Sequence, residues 1–300
     1  MTSQFSSLTI FGEVLFDCFP DGEQVLGGAP FNVAWHAQAI GDQPRFISRI
    51  GDDQLGQRIL AAMQAWGLDS AGIQVDQQHP TGRVDVHFEN HEPSYQIVPD
   101  CAYDFIAAGA DDAPPGAGIL YHGSLCLRNS VARNAFNRLT QNRNLAIFLD
   151  INLRPPWWRK AEVFGWMERA RWVKLNQDEL KLLGFTAADT RREMARLQTQ
   201  FALEQLILTR GELGGLVRTA SGKYHHVAPD PSQTLVDTVG AGDAFTAIYL
   251  HGLLAGWSVP ETLVAAQRFA GKVVSIRGAT TSDAEFYHDF IRSTTQGSRG

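Results

Sequence analysis

The sequence predicts an α/β fold: a single domain, residues 1–300, whose doubly wound and mostly parallel sheet is flanked by helices and carries a small β-strand lid. Length and composition are one reason, because 300 residues with 44% apolar and 19% charged side chains can bury one elaborate core. A second is the alternation of strand-like and helix-like segments, which is typical of a parallel sheet covered on both faces. The third is one region, at 81–98, where a hairpin pattern interrupts that alternation.

Each element is predicted from its own pattern. An apolar run at 8–16 predicts the first strand, and a helix is expected at 30–40, where Pro30 stands early and Gly41 follows the end. A strand at 45–50 and a helix at 53–66 come next. Further strands are predicted at 119–122, 145–150, 172–175 and 205–209, with helices near 130–143, 157–170, 177–183 and 189–203, and a buried core helix within 244–260.

Residues 81–98 predict a β-hairpin in place of another strand and helix. Apolar Val84 and Val86 alternate with polar residues, and a turn is expected at 90–93. Because a two-stranded hairpin is unstable alone, it must pack on something, which favours a lid made of segments near 14–28 and 80–100. The alternative is that its polar face, which carries Arg83, is only solvated. We also expect a homodimer that forms through the lid.

Charge and cysteine content exclude several classes of protein. Lys and Arg number 26 and Asp and Glu number 32, so the net charge is −6, and the basic surface expected of a nucleic-acid or anionic-membrane binder is missing. The scattered Cys18, Cys101 and Cys126 predict reduced thiols without a disulfide framework or a structural zinc. The N-terminal segment has no basic region and reaches Glu13 early, so no signal peptide is predicted and a cytoplasmic location is expected.

The strongest motif, at 237–245, joins a loop to an apolar helix. Its small residues Gly240, Ala241 and Gly242 let backbone amides approach an anion, and the helix start adds the positive end of its dipole. Asp243 follows at once. A carboxylate repels phosphate, but it fits beside one if it accepts a proton from the nucleophile that attacks the phosphorus. The alternative is that Asp243 is only an acid favoured at a helix start.

A second motif precedes the helix predicted at 30–40. The paired glycines at 27–28 place backbone close to a ligand, and Asn32, one turn into the helix, suits hydroxyl recognition because its amide both donates and accepts. Upstream, Asp17 ends the first predicted strand, where a carboxylate can bind a pair of hydroxyls. Turn chemistry is the alternative for each of these residues.

Two further strand ends are candidates for a nucleotide site. Asn176 and Glu179 follow one strand, although an acid-rich helix start explains them equally well, and Thr209 ends another that runs into a glycine-rich turn. Such a turn fits backbone wrapped around a flat or phosphorylated ligand. The motif G-x-x-x-x-G-K-[ST] is absent, and G-x-G-x-x-G is not met because Phe245 stands where the third glycine belongs. A dinucleotide-dependent oxidoreductase is therefore disfavoured.

Taken together, these motifs resemble the ribokinase-type (PfkB) family of ATP-dependent sugar kinases. The segment at 27–32 is similar to the first family signature, and the segment at 237–243 is similar to the second, which is highly specific. The Asn-x-x-Glu pair at 176 and 179 is also present, and the resemblance covers essentially the whole chain. Three further segments look like the fructokinase branch: 12–17, 93–95 with 104–106, and 150–155.

The resemblance implies a role for each matching residue. Asp243 would deprotonate the sugar hydroxyl, and the amides of Gly240, Ala241 and Gly242 would hold the transferring phosphoryl group. The residues implied at the sugar are Asp17, Gly28, Asn32 and Arg154, and Arg83 joins them from the lid.

The resemblance also implies an ATP and metal site. Asn176 and Glu179 would serve the Mg²⁺-nucleotide, with Glu179 acting through metal-bound water. The residues implied at the phosphates or ribose of ATP are Thr209, Gly211 and Gly214. A monovalent cation, K⁺, would take oxygens from Asp237, Val239 and the turn at Gly278.

The predicted function is transfer of the ATP γ-phosphoryl group to a hydroxymethyl group of a small sugar, D-fructose first, which gives a fructose phosphate. The carboxylates of Asp17 and Asp243 favour a neutral polyol by charge. An alternative in the same class is a kinase for a sugar acid such as 2-keto-3-deoxygluconate, whose carboxylate would meet Arg154. An alternative outside it is a catalytically silent sugar-binding regulator, which would not need a base at the anion site.

Overall fold

The structure is a computed structural model, and it describes residues 5–89, 92–109, 116–141, 144–231 and 234–297. The strands in these ranges are β1 (Ser7–Phe11), β2 (Leu15–Cys18), β3 (Gln24–Gly27), β4 (Arg45–Gly51), β5 (Ile73–Asp76), β6 (Gly82–Glu89), β7 (Glu92–Ile97), β8 (Gly118–His122), β9 (Leu145–Asp150), β10 (Trp172–Asn176), β11 (Gln205–Thr209), β12 (Gly215–Thr219) and β13 (Tyr224–Val227). The α-helices are α1 (Ala29–Ala39), α2 (Gln54–Trp66), α3 (Ser130–Leu139), α4 (Lys160–Met167), α5 (Gln177–Leu182), α6 (Thr190–Phe201), α7 (Ala241–Ala255), α8 (Val259–Val273) and α9 (Ala284–Gly297).

The main sheet has nine strands in the order β13-β12-β11-β10-β9-β8-β1-β4-β5. Neighbours from β11 to β5 run parallel, and β12 and β13 add an antiparallel edge. Alternate side chains of β8 enter two different cores, since Ile119 and Tyr121 pack on one side and Leu120 packs on the other. Burial on both faces confirms the doubly wound α/β fold that the alternating pattern predicts.

A second sheet of four strands has the order β3-β2-β6-β7. Its strands lie within the two segments predicted as a lid. The inward face is apolar at Val84 and Val86, which are 6% and 2% exposed. Strand β7 begins at Glu92, so residues 92 and 93, which were predicted in the turn at 90–93, belong to the strand. Residues 90 and 91 lie outside the described part of the chain.

The single strand predicted at 8–16 is wrong, because the chain leaves one sheet and enters the other within it. Strand β1 ends at Phe11 and β2 begins at Leu15. Between them, Gly12 lies against Pro30 so closely that an added Cβ would be 2.3 Å from the proline Cγ. This close approach brings the start of α1 beside the end of β1, and it directs the next residues out of the main sheet.

Helix boundaries also differ from the sequence pattern. Helix α4 begins only at Lys160, after the prolines Pro155 and Pro156, which supply no backbone N–H for a helix. The core helix predicted within 244–260 is α7, which begins earlier, at Ala241. Gly256 ends this helix in the left-handed conformation, with φ of 71°. Gly242 therefore belongs to the first turn of α7, and Gly240 is the N-cap residue that precedes it.

Two further features concern the cysteines and the length of the helices. Cys18, Cys101 and Cys126 are free thiols, as expected for a chain without a disulfide framework. Among the residues that the structure describes, every helix is too short or too polar to cross a lipid bilayer.

Candidate active site

The predicted residues Asn176 and Thr209 and the start of α7 lie at the carboxyl edge of the main sheet, where parallel α/β folds bind ligands. Asn176 and Thr209 end strands β10 and β11 and lie side by side in the strand register. Asp150 ends the adjacent strand β9. The start of α7 lies at the same edge, because an added Cβ at Gly242 would be only 3.7 Å from Nζ of Lys174 on β10.

Gly240 is the N-cap of helix α7 and shapes the anion-binding turn. Its φ of 77° favours glycine, and an added Cβ would lie 2.4 Å from Cα of Ala279. Ala241, Gly242 and Asp243 then form the first helical turn, where backbone amides have no partner within the helix. The Ala241 amide donates to the Thr238 carbonyl over 3.3 Å, so the amides of Gly242 and Asp243 are the ones best able to receive an anion.

Asp243 is held by the residue predicted to contact the sugar. Asn32 Nδ2 donates to Asp243 Oδ2 over 2.8 Å, and this bond links α1 to the start of α7. Burial raises the pKa of Asp243 to about 6, while the Asn32 hydrogen bond lowers it and the nearby Asp150 charge raises it. At pH 7 the carboxylate is therefore ionised, with a pKa near the pH at which a general base works best.

Asn32 also has an unused acceptor, since its Oδ1 is buried without a hydrogen-bond partner among the described residues. Gly28, the N-cap of the same helix, has φ of 105°, and an added Cβ would lie 2.9 Å from the Glu13 carbonyl oxygen. The paired glycines therefore bring α1 against the loop that joins β1 to β2. A buried, unpaired acceptor beside Asp243 suits a ligand that carries hydroxyl donors.

Three carboxyl groups share the field of one arginine on this side of the site. Burial raises the pKa of Asp17 to about 6 and that of Glu13 to about 7, and the Arg154 charge lowers both. Arg154 also lowers the pKa of Asp243. The predicted residues Asp17 and Asp243 are thus both within the electrostatic influence of Arg154.

Glu13 is a site residue that the motif analysis did not single out. It is 3% exposed, and its Oε2 has no hydrogen-bond partner in the part of the chain that the structure describes. A lone acid inside the apolar run at 8–16 was the available signal, because an unpaired charge is seldom buried without a functional reason.

Arg83 is the predicted sugar residue that the structure does not bring to this site. Its side chain is 52% exposed and pairs with Asp85 on the same strand, with Nε 3.2 Å from Oδ1. Asp17 is in register with Val84, the buried neighbour of Arg83, so Arg83 points to the opposite face of the second sheet. The solvated-face alternative describes Arg83 better than the sugar contact does.

Asn176 and Glu179 form a helix cap. Asn176 Oδ1 accepts from the amides of Asp178 and Glu179, both over 2.9 Å. Glu179 Oε2 accepts from the Asn176 amide and Oε1 from the Leu153 amide, each over 2.8 Å, and the side chain is 6% exposed. With both oxygens engaged by backbone amides, Glu179 fits a helix cap better than a direct metal ligand or the predicted partner of metal-bound water.

The glycine-rich turn after β11 has one open and one packed glycine. Gly211 has φ of 54° and no neighbour within 4 Å of an added Cβ, which leaves room for a ligand next to Thr209. At Gly214 an added Cβ would lie 2.0 Å from the Val227 carbonyl oxygen, so that glycine is required by packing against β13. Close approach to ATP therefore fits Gly211 better than Gly214.

Asp237 joins the two loops of the predicted cation site. Its Oδ1 accepts from the Val239 amide over 3.0 Å, and its Oδ2 accepts from the Gly278 amide over 2.9 Å. Both carboxylate oxygens therefore hold the backbone, and a cation would have to use carbonyl oxygens of these loops. In the described ranges, no cluster of three or more His, Cys, Asp or Glu side chains could hold a metal by itself.

A buried ion pair below α7 was not found from the sequence. Lys174 Nζ lies 3.0 and 2.7 Å from the two carboxylate oxygens of Asp150. Both residues stand inside apolar strand runs, which was the signal available in the sequence.

The family model described as pfkB family carbohydrate kinase matches residues 14–285. The chain belongs to the pfkB carbohydrate kinase family. It is an ATP-dependent carbohydrate kinase, as the second signature at Asp243 and its glycines predicted. The silent-regulator alternative is set aside accordingly.

Family relatives include fructokinases from bacteria and plants. The chain is 30% identical over 294 residues to the fructokinase of Escherichia coli, a match that covers 91% of this chain and 94% of that protein. It is 28% identical over 264 residues to fructokinase-2 of rice, which covers 80% of this chain and 77% of that one. These matches confirm the predicted resemblance to the fructokinase branch.

The fold is shared with solved family structures. A double mutant of the Vibrio cholerae fructokinase, in a fructose, ADP and potassium ion bound form, superposes with a TM-score of 0.80 at 22% identity. The match covers 96% of this chain and 99% of that one. At this identity the likeness shows the fold, and the sugar that this family member uses is a separate question.

Proposed function

We propose that this kinase transfers the γ-phosphoryl group of ATP to a hydroxymethyl group of D-fructose. The observation that carries the proposal is the 2.8 Å hydrogen bond between Asn32 and Asp243, which joins a hydroxyl-binding segment to an ionised carboxylate at a helix N-terminus. The free amides of α7 and the proton acceptor then meet at one point, as phosphoryl transfer requires.

The chemistry follows from that arrangement. As the sugar hydroxyl oxygen forms its bond to the γ-phosphorus, the bond between that phosphorus and the ADP oxygen breaks. The hydroxyl proton passes to a carboxylate oxygen of Asp243. The Gly242 and Asp243 amides stabilise the negative charge on the transferring group, and Asn32 fixes the position of the base.

The charge of the pocket supports a neutral sugar. Glu13, Asp17 and Asp243 are carboxyl groups within the field of Arg154, and the other cations that act on them, Arg128 and Lys174, are themselves paired with Asp104 and Asp150. An anionic substrate would meet more negative than positive charge once these groups ionise. The unpaired acceptors Asn32 Oδ1 and Glu13 Oε2 also favour a ligand rich in hydroxyl donors.

A sugar acid such as 2-keto-3-deoxygluconate is the second candidate, because Arg154 is exposed and could meet a carboxylate. The deciding experiment measures kcat/KM at fixed ATP for D-fructose, tagatose, ribose and 2-keto-3-deoxygluconate. We expect D-fructose to give the highest value. A higher value for the sugar acid, lost in Arg154→Gln but kept for fructose, would transfer the assignment to the sugar acid and leave the kinase activity standing.

Two ions are included in the proposal. Mg²⁺ would accompany ATP, since Mg²⁺ is commonly bound by phosphates and water with few protein ligands. K⁺ would be held by backbone oxygens near Asp237, Val239 and Gly278, and we expect K⁺ to raise the rate above that in Na⁺ or Li⁺. Equal rates in the three salts would remove the cation site from the proposal.

The second sheet is proposed to act as the lid. Asp17 stands on it beside the site, so closure over the sugar would bring its carboxylate to the hydroxyls. A homodimer through this sheet and a cytoplasmic location remain predictions, and sedimentation of the purified chain tests the first of these.

A further inference from the structure

Strands β9 and β10 carry a charged pair in the interior of the protein. Asp150 and Lys174 are paired in the strand register, and their side chains are 4% and 7% exposed. Desolvation of two charges offsets most of their attraction, so such a pair is weak evidence of a contribution to stability. Its presence beside the start of α7 therefore calls for another explanation.

Thr246 connects this pair to helix α7. Its hydroxyl oxygen lies 2.8 Å from Asp150 Oδ2 and 2.9 Å from the Gly242 carbonyl oxygen. The single hydroxyl hydrogen can serve either acceptor, and Asp150, as the charged one, binds it more strongly. The side chain is fully buried, so water does not compete for these contacts.

The network thus ends at the residues that perform the reaction. Gly242 supplies one of the free amides, and the next residue is Asp243. Lys174 Nζ lies beneath Gly242, 3.7 Å from the position of an added Cβ. Asp150, through Thr246 and Lys174, therefore fixes the first turn of α7 against the two strands below it.

We propose that Asp150, Lys174 and Thr246 are positioning residues that hold the Gly242 amide and the Asp243 carboxylate at the distance and angle that phosphoryl transfer needs. The proposal rests on the proposed kinase chemistry of Asp243, but it does not depend on which sugar is used. Because this reaction is catalysed mainly by positioning and electrostatics, a small displacement of the turn lowers kcat. Binding of sugar and ATP, which uses other contacts, changes little.

The test compares two buried helix threonines. Thr246→Val removes the hydroxyl without changing the shape, and we expect kcat to fall roughly ten-fold with both KM values within about two-fold. Thr246→Ser keeps a hydroxyl and should restore most of the turnover. Thr262→Val is the matched control, because Thr262 is also buried and donates to the carbonyl four residues earlier, Ser258, over 2.9 Å, but its hydroxyl has no carboxylate partner in the described chain.

A double variant gives a second readout. Asp150→Asn with Lys174→Met removes both charges, while Arg154 and Glu13, the other charged groups acting on Asp243, remain. Because the first turn of α7 then loses its charged support on the two strands, we expect the folded double variant to show a roughly ten-fold lower kcat with both KM values within about two-fold.

The outcomes separate this proposal from the proposed substrate. All rates are measured on the sugar that the unmodified protein phosphorylates fastest, so failure with D-fructose affects the substrate alone. A Thr246→Val protein with kcat within two-fold of Thr262→Val would overturn the positioning role. If Thr246→Val does not fold, as judged by thermal melting, the double variant decides, and a folded double variant whose kcat is within two-fold of that of the unmodified protein would then overturn the role.

Discussion

Asp243 and Glu179 occupy the same place on two helices and have different environments. Each is the third residue of a helix that begins at the carboxyl edge of the main sheet. Glu179 uses both oxygens to accept backbone amides, those of Asn176 and Leu153. Asp243 receives one side-chain hydrogen bond, from Asn32, in the described structure.

The N-cap residue explains the difference. Asn176 caps helix α5 in extended conformation, and its own amide is free to bind a carboxylate that folds back from the third position. Gly240 caps α7 in the left-handed conformation, with no side-chain cap. Aspartate is also one methylene shorter than glutamate, so it is less able to reach back. The acid at the third position of a helix therefore caps the helix when Asn176 is the N-cap residue. It remains available for chemistry when Gly240 is the N-cap residue.

The comparison is broken most directly at Asp243. Asp243→Asn keeps the size of the side chain and leaves an oxygen that can accept the Asn32 hydrogen bond, but the amide does not accept a proton. We expect kcat to fall on the order of 10²–10⁴-fold with the KM for ATP little changed. Asp178→Asn, which alters an exposed acid at a helix start, is the control. Turnover by Asp243→Asn close to that of the control would refute the base.

The pH profile sharpens the same contrast. Because the pKa of Asp243 is raised to about 6, the carboxylate is ionised above that pH and protonated below it. We expect kcat/KM to fall about ten-fold per pH unit below about pH 6. Asp243→Asn should not show this fall in kcat/KM at low pH. If the fall persists in that variant, it reports the titration of a different group.

Much of the fold was predictable because its signals are local. Apolar runs that alternate with helical segments predict the parallel strands, and Gly240 to Asp243 form a contiguous motif whose chemistry can be interpreted from four neighbouring residues. The one strand predicted at 8–16 failed because its break depends on contact between Gly12 and Pro30, which are distant in sequence.

The rest of the site depends on contacts that a linear pattern does not contain. Asp150, Lys174 and Thr246 meet across two strands and a helix, with Asp150 and Thr246 separated by 96 positions. Arg83 was predicted to contact the sugar because it lies on a lid strand. Strand alternation places its side chain on the other face of the sheet from Val84 and Asp17. The role of Glu179 likewise required the Leu153 amide, which comes from a different loop.

Glu13 offers a third environment, that of a buried carboxyl group with one oxygen unpartnered in the described structure. Burial raises its pKa from 4.5 to about 7, so between these values the folded protein binds more protons than the unfolded chain. Stability is therefore lost as the pH rises through this window, by roughly 3 kcal/mol. We expect Glu13→Gln to raise Tm at pH 8 and to change it little at pH 5.

The control for this prediction is Glu193→Gln. Glu193 is also buried, but both its oxygens accept from Arg196 Nη1, at 2.9 and 2.8 Å. Loss of that pair should lower Tm at both pH values. If Glu13→Gln also lowered Tm at pH 8, the Glu13 carboxylate would be paired and stabilising in the folded protein, contrary to its position here.

The smallest expected effect distinguishes two roles for Glu179, as the residue that caps helix α5 and as a residue that holds metal-bound water. Glutamine has one acceptor oxygen, so Glu179→Gln leaves either the Asn176 or the Leu153 amide facing an NH₂ group, which lowers the free energy of unfolding by about 1–3 kcal/mol. We expect a lower Tm and, because Leu153 adjoins Arg154, a modest rise in sugar KM. The Mg²⁺ concentration for half-maximal rate should stay within about two-fold.

Glu261→Gln is the control, since Glu261 forms the same kind of cap with Ser258 at an exposed helix start and tolerates glutamine. A several-fold higher Mg²⁺ requirement at unchanged Tm would instead give Glu179 the metal role and make the two helix starts alike in function.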